Sequence, residues 1–348
     1  MTDFFPLNTG ARIPAVGLGT WEADGEACTR AVRFAALEAG YRHIDCSHLY
    51  GNEIQVGLAL REILGDGGGI KREDLFLTSK LWFTAKTPRH VETCVDASLR
   101  NLGLDYLDLY LLHWPTPAPM GDATDPPPAA ALEHREEVRQ IKESWQVMEA
   151  LLATNKVRAI GVSNFGISQL QELLGSCLIV PAVNQVELHP FWRQDDLVEF
   201  CKRKGIHVSA HTPLGIPGTN IGSLQLPSNS ESSSAEGKTF LRTKSVNSPM
   251  LKASVVAAIA EELGKTPAQV ILRWGLQRGT SVLPRSLTPE RIKLNIDILD
   301  WCLADDDWKA INAMEPQVRL INGTFSYLSE NAPLQAVKED EVEQAENI

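Results

Sequence analysis

The chain has 348 residues, 43% of them hydrophobic and 22% charged, enough apolar material for a large buried core. Its 33 Lys+Arg against 44 Asp+Glu leave a net charge of −11, which argues against nucleic acid as a partner because phosphate neutralisation needs a basic surface. The length allows two domains or one large α/β barrel, and no apolar run approaches the ~18 residues of a membrane span.

The amino terminus, Met1-Thr2-Asp3-Phe4-Phe5-Pro6, lacks the cationic start and apolar stretch of a signal peptide. Cysteines 28, 46, 94, 177, 201 and 302 include no Cys-x-x-Cys pair. Free thiols in a cytosolic protein are therefore expected, with neither disulfides nor a metal site. Asn8-Thr9-Gly10 within 6–14 is a turn signal that predicts a short β-hairpin.

Beyond it, short apolar and β-branched runs recur at 15–18, 42–45, 75–79, 106–112, 157–162, 182–186, 207–210 and 281–283. Helical patterns alternate with them at 26–39, 53–64, 89–102, 141–152, 168–174, 195–203, 252–262 and 289–298. Strand–helix alternation implies parallel pairing through crossover helices. Eight such units predict a (β/α)8 barrel, a TIM barrel, with a doubly wound open sheet as the alternative. Three segments break the rhythm: Pro/Ala-rich 116–131, Gly/Ser-rich 215–248 and a tail at 316–348 that ends acidic. The first two follow strands four and seven, which in a barrel puts them on the active face. One domain spanning 1–348, decorated by long loops, is the expected organisation.

Each run ends in polar or ionisable residues. In order these are Gly19-Thr20-Trp21, Asp45 with Tyr50 five residues on, Lys80-Leu81-Trp82, His113-Trp114-Pro115, Ser163-Asn164, Gln185-Val186-Glu187, His211-Thr212 and Arg285-Ser286. Taken singly, Asp45 reads as a helix cap, Lys80 as a solvated lysine and His113 as a core histidine. Together on successive strand ends they read as one site, because unpaired charge on apolar strands is costly. Lys80 beside Asp45 would form a buried ion pair. Its cation next to Tyr50 would lower the phenol pKa and suit the tyrosine to protonate a carbonyl oxygen. His113 could donate a second hydrogen bond to that oxygen. Ser163 and Ser286 lack a Gly-x-Ser-x-Gly context, so acyl transfer is disfavoured. There is no Gly-x-Gly-x-x-Gly after a strand. The candidate phosphate site is instead 284–295, where a strand runs into a helix start carrying Arg285, Ser286 and Arg291.

Gly40-Tyr41-Arg42-His43-Ile44-Asp45-Cys46-Ser47-His48-Leu49-Tyr50-Gly51-Asn52-Glu53 resembles the signature of the aldo-keto reductases. Ile13-Pro14-Ala15-Val16-Gly17-Leu18-Gly19-Thr20-Trp21, Thr78-Ser79-Lys80-Leu81-Trp82, Gly161-Val162-Ser163-Asn164-Phe165 and Asn184-Gln185-Val186-Glu187-Leu188-His189-Pro190 match as well, over about 4–315 and nearest to plant aldose-reductase-like members. The resemblance implies a monomeric barrel that binds NADPH across its mouth and reduces small aldehydes or ketones. It implies Tyr50 as general acid, tuned by Lys80 and Asp45, with His113 orienting the carbonyl. Ser163, Asn164 and Gln185 would hold the nicotinamide carboxamide, and Trp21, Trp82, His113 and Trp114 would wall the substrate pocket. Gly19, Thr20, Trp21, Asp45, His211, Thr212, Leu214, Arg285, Ser286, Arg291 and Asn295 would complete the cofactor contacts.

The chain departs from the family pattern in three places. Arg285 stands where lysine is usual, Leu294 where an acidic residue contacts the adenine, and His211 where a tyrosine stacks on the nicotinamide. The wording Ala210-His211-Thr212-Pro213-Leu214-Gly215 resembles the hexose-6-phosphate reductase branch, an alternative substrate class. A non-catalytic NADPH-binding regulatory subunit is the alternative of another kind.

Overall fold

The computed structural model describes residues 3–65, 68–81, 88–115, 134–216 and 248–321. Strands β1 (Phe4–Pro6) and β2 (Arg12–Pro14) form the antiparallel hairpin expected from Asn8-Thr9-Gly10. Gly10 takes φ +84 at its turn, a conformation that favours glycine. Eight parallel strands follow: β3 (Leu18–Gly19), β4 (His43–Asp45), β5 (Phe76–Leu81), β6 (Leu109–Leu112), β7 (Ile160–Ser163), β8 (Val183–Glu187), β9 (His207–His211) and β10 (Ser281–Leu283). Each pairs with the next in sequence. A parallel bridge between Val16 and Val282, in which the Gly17 amide donates to the Val282 carbonyl and the Val282 amide to the Ala15 carbonyl, joins the last strand to the first. The ring is closed, which excludes the open doubly wound sheet. Every residue of β5, β7 and β8 is buried, as expected of strands packed on both faces.

Helices α1 (Gly25–Leu37), α2 (Glu53–Leu64), α3 (Pro88–Leu102), α4 (His134–Leu151), α5 (Ile167–Leu174), α6 (Asp195–Arg203), α7 (Ser254–Leu263) and α9 (Pro289–Ile296) correspond to the predicted ones. Amphipathicity places them: α6 buries Leu197, Phe200 and Cys201, with Asp195 and Asp196 in its first turn and Lys202 and Arg203 in its last, as the helix dipole favours. Two helices are absent from the sequence reading. One, α8 (Pro267–Gln277), buries eight consecutive residues from Gln269 to Leu276, polar Gln269 and Arg273 among them. Its start was nonetheless encoded by the Thr266–Gln269 capping box. The other, α10 (Asp305–Asn312), buries only Ile311.

A small core of Leu7, Ile13, Phe76, Leu109, Leu111, Ala159, Ala182 and Val183 plugs the amino-terminal end of the barrel beneath the hairpin. The carboxyl ends of the strands form the other end, the mouth, where barrel enzymes carry their sites. The predicted segment 116–131, all but the ends of 215–248, residues beyond 321 and Trp82 lie outside the described residues. Among the described residues no helix is long and apolar enough to cross a membrane, no acidic or histidine–cysteine cluster could hold a metal, and the six cysteines are free thiols.

Candidate active site

Lys80 is the organising residue. It is 0% exposed at the end of β5, where an ammonium without partners would cost several kcal/mol. Its three donors are all used: Nζ donates to Asp45 Oδ2 at 2.6 Å, the Cys46 carbonyl at 2.9 Å and Tyr50 Oη at 3.1 Å. Asp45, ending β4, takes a further bond at 2.7 Å on Oδ1 from Gln185 Nε2. Tyr50 ends the helical turn His48–Tyr50, which Ser47 caps by accepting from the Leu49 amide and which Gly51 stops at φ +67. Ser47 serves twice, since its Oγ also lies 3.1 Å from His113 Nδ1. The rings of Tyr50 and His113 meet edge to face with centroids 5.9 Å apart.

Burial governs the charge states. It pulls the Lys80 ammonium down, but Asp45 and Tyr50 outweigh it and leave the pKa above the ordinary lysine value. Burial raises the Tyr50 phenol above its usual value, against the opposing pull of Lys80. This corrects the expectation that the cation alone would lower it: desolvation of the phenolate exceeds the attraction of a cation already shared with Asp45. Burial, then Lys80 and His211, hold His113 well below the usual histidine range, so it is neutral.

Across the mouth, the ends of β7, β8 and β9 assemble the second cluster. Ser163 Oγ donates to the Gln185 carbonyl at 2.8 Å. Asn164 Nδ2 donates to the His113 carbonyl at 3.0 Å and lies 3.2 Å from Ser163 Oγ, while Asn164 Oδ1 is 2.9 Å from His211 Nε2. Thr212 Oγ1 is 3.0 Å from the other ring nitrogen. Asn164 (φ +65) and Thr212 (φ +52) both sit in the left-handed region immediately after their strands. Such conformations persist where surrounding structure holds them.

Of the remaining predicted residues, Gly19, Thr20 and Trp21 end or follow β3, and Arg285 and Ser286 follow β10, on the two sides of the seam. The Gly19 amide donates to the Pro284 carbonyl at 3.1 Å, and Thr20 Oγ1 donates to the Asp45 carbonyl at 2.9 Å. Arg285 donates to the Glu22 carbonyl and pairs with its carboxylate at 3.7 Å. Ser286 Oγ accepts from the Thr288 amide at 3.1 Å, just before α9, whose N-cap makes no side-chain bond. Arg291 is exposed and Asn295 buried on that helix. Trp21, Trp114 and Leu214 are half-buried, and the Trp114 ring stacks at 6.5 Å from His113. Leu294 is exposed, an apolar surface beside Arg291.

Two relationships escaped the sequence. Ser47 gave no signal as a partner of His113. Glu187 was visible as a polar strand end, but not its partners: its two carboxylate oxygens accept the Leu320 and Ile321 amides, each at 2.6 Å, and His189 Nε2 lies 2.9 Å away. These bonds fasten the segment after α10 onto the mouth.

The model of the Aldo/keto reductase family matches residues 15–316. Aldo-keto reductase family 4 member C11 of Arabidopsis thaliana is 43% identical over 336 residues, covering 97% of this chain and 96% of that protein. Human aldo-keto reductase family 1 member A1 is 39% identical over 315 residues, 90% of each. The solved aldose reductase of Schistosoma japonicum superposes with a TM-score of 0.74 at 34% identity, covering 96% of this chain and all of that one. A closed barrel whose strand ends gather these groups, with such likeness along almost its full length, places the chain in the aldo/keto reductase family, oxidoreductases of aldehydes and ketones.

Proposed function

We propose that the protein reduces small aldehydes or ketones to alcohols with NADPH, Tyr50 acting as general acid. The observation that carries this reading is the saturated Lys80, bonded at once to Asp45 and Tyr50 at the carboxyl ends of the barrel strands. The donor set fits the cofactor. Ser163, Asn164 and Gln185 present hydroxyl and amide groups suited to a carboxamide, and the start of α9 with Arg285, Ser286 and Arg291 suits a phosphate. The cofactor, when bound, supplies the hydride from its nicotinamide ring.

The chain's own residues handle the oxygen. Tyr50 Oη donates to the substrate carbonyl and gives up its proton as negative charge develops there. Its raised pKa keeps it protonated until that moment, and Lys80 stabilises the phenolate left behind. Asp45 keeps Lys80 cationic, and Gln185 keeps Asp45 aimed. Neutral His113, with the Ser47 hydroxyl proton on Nδ1, directs its Nε2–H at the same oxygen and orients it. Trp21 and Trp114 offer apolar walls for the rest of the substrate. A regulatory subunit without turnover would have no use for the complete Lys80–Asp45–Tyr50 arrangement.

Steady-state oxidation of NADPH against a panel of aliphatic, aromatic and phosphorylated aldehydes tests the proposal. Turnover is expected, with Tyr50→Phe binding NADPH but losing about 10²–10⁴ in rate. Tight NADPH binding with no turnover on any carbonyl would favour the regulatory reading. A preference for phosphorylated aldoses would place the protein with the sugar-phosphate reductases.

A further inference from the structure

Strands β7 and β9 are not neighbours, because β8 lies between them. His211 at the end of β9 nevertheless reaches over β8 to Asn164 beyond β7. We propose, resting on the NADPH reading above, that His211 is a positioning residue: its Nε2–H holds the Asn164 amide in the orientation that a nicotinamide carboxamide must meet.

Hydrogen-bond valence sets the Asn164 orientation and the Nε2 proton in this chain of contacts. The His113 carbonyl can only accept, so the group facing it at 3.0 Å is the Asn164 nitrogen. Asn164 therefore turns its oxygen to His211, and an amide oxygen can only accept, so Nε2 carries the proton. In the neutral ring Nδ1 is bare and accepts the Thr212 hydroxyl at 3.0 Å. A neutral imidazole satisfies all of these contacts. Burial foremost, opposed by Glu187 and aided by Lys80, brings the His211 pKa down to about 4, which keeps that neutral form at physiological pH.

The imidazole also ties together two strained turns. Threonine is β-branched, and φ +52 is a conformation it rarely takes; Asn164 at φ +65 is strained as well. With His211 bonded to both side chains, Asn164 is fixed relative to Ser163 and Gln185, the other members of the carboxamide cluster. A phenyl ring in this place would offer no edge donor, and the Asn164 amide would be held only from its nitrogen side.

The test compares His211→Phe and His211→Gln with the wild type, measuring equilibrium binding of NADPH and of 2′,5′-ADP, which lacks the nicotinamide half. His211→Phe should weaken NADPH about tenfold while 2′,5′-ADP stays within about twofold, and His211→Gln, which restores an N–H donor, should recover most of the loss. Unchanged NADPH affinity in His211→Phe would overturn the role of His211 while leaving the NADPH reading intact. Equal weakening of both ligands, or no recovery by His211→Gln, would overturn it as well. Failure of the wild type to bind NADPH would remove the cofactor reading and this inference with it.

Discussion

Gln185 Nε2 on β8 donates to Asp45 Oδ1 on β4 at 2.7 Å, linking two strands that stand opposite each other in the closed ring of eight. The bond joins the cluster around Tyr50 to the cluster around Asn164. Asp45 thereby spends one oxygen on Lys80 and the other on Gln185.

Asp45→Asn should be doubly damaging. It leaves the Lys80 ammonium, fully buried, without a counter-charge, and breaking a buried pair in this way typically costs about 3–5 kcal/mol. Lys80 would then shift toward its neutral form and stop stabilising the Tyr50 phenolate. Urea unfolding should register the stability loss and steady-state assays a drop in kcat. A stability within about 1 kcal/mol of wild type would contradict the account of Lys80 as dependent on Asp45.

Acid should destabilise the protein earlier than its carboxylates alone would. Burial pushes His43 and His207 down to about 3 and His211 to about 4, and it holds His113 well below its ordinary range. A folded pKa below the unfolded value near 6.5 means that the unfolded state binds more protons. The neutral histidines therefore contribute stability above about pH 6.5 that is lost as pH falls toward their folded values. Each adds up to about 1.4 kcal/mol per pH unit over that window. His207→Gln should flatten the slope of unfolding free energy between pH 6.5 and 4; an unaltered slope would remove His207 from the titration.

Glu187→Gln should loosen residues 320 and 321. The carboxylate accepts two backbone amides and an imidazole nitrogen inside the protein, and replacing one oxygen by an NH2 sets a donor against a donor. A cost of about 1–3 kcal/mol is expected. Hydrogen exchange should show the Leu320 and Ile321 amides losing protection while β5 and β8 keep theirs. Unchanged protection at those two amides would show that other contacts hold the segment.

Arg291→Met should separate the two nicotinamide cofactors. If the start of α9 takes the extra phosphate of NADPH, loss of an exposed cation there should weaken NADPH about tenfold and leave NADH nearly unchanged. Equal effects on both would move the phosphate contact elsewhere.

Much of this architecture is legible in the chain. The alternation of apolar runs with amphipathic stretches depends on local periods, so the eight barrel strands and eight of the helices are legible, the widest difference being α4, which starts at His134 rather than 141. Asp45, Tyr50, Lys80 and His113 stood out because charge on apolar strands is improbable unless partnered. Helix α8 lies outside the sequence reading, although its Thr266–Gln269 capping box marks its start.

What the sequence determined by itself was therefore which residues stand at the strand ends, since that follows from spacing along one segment at a time. Tertiary structure alone decided what those residues touch and hold. Glu187 finds its amides 133 and 134 positions away, and Gln185 finds Asp45 at a separation of 140. The same holds for charge: a cation beside Tyr50 was readable, but the direction of the phenol's shift depended on how completely closing the barrel removes water. Burial is a property of the whole ring, and no single segment carries it.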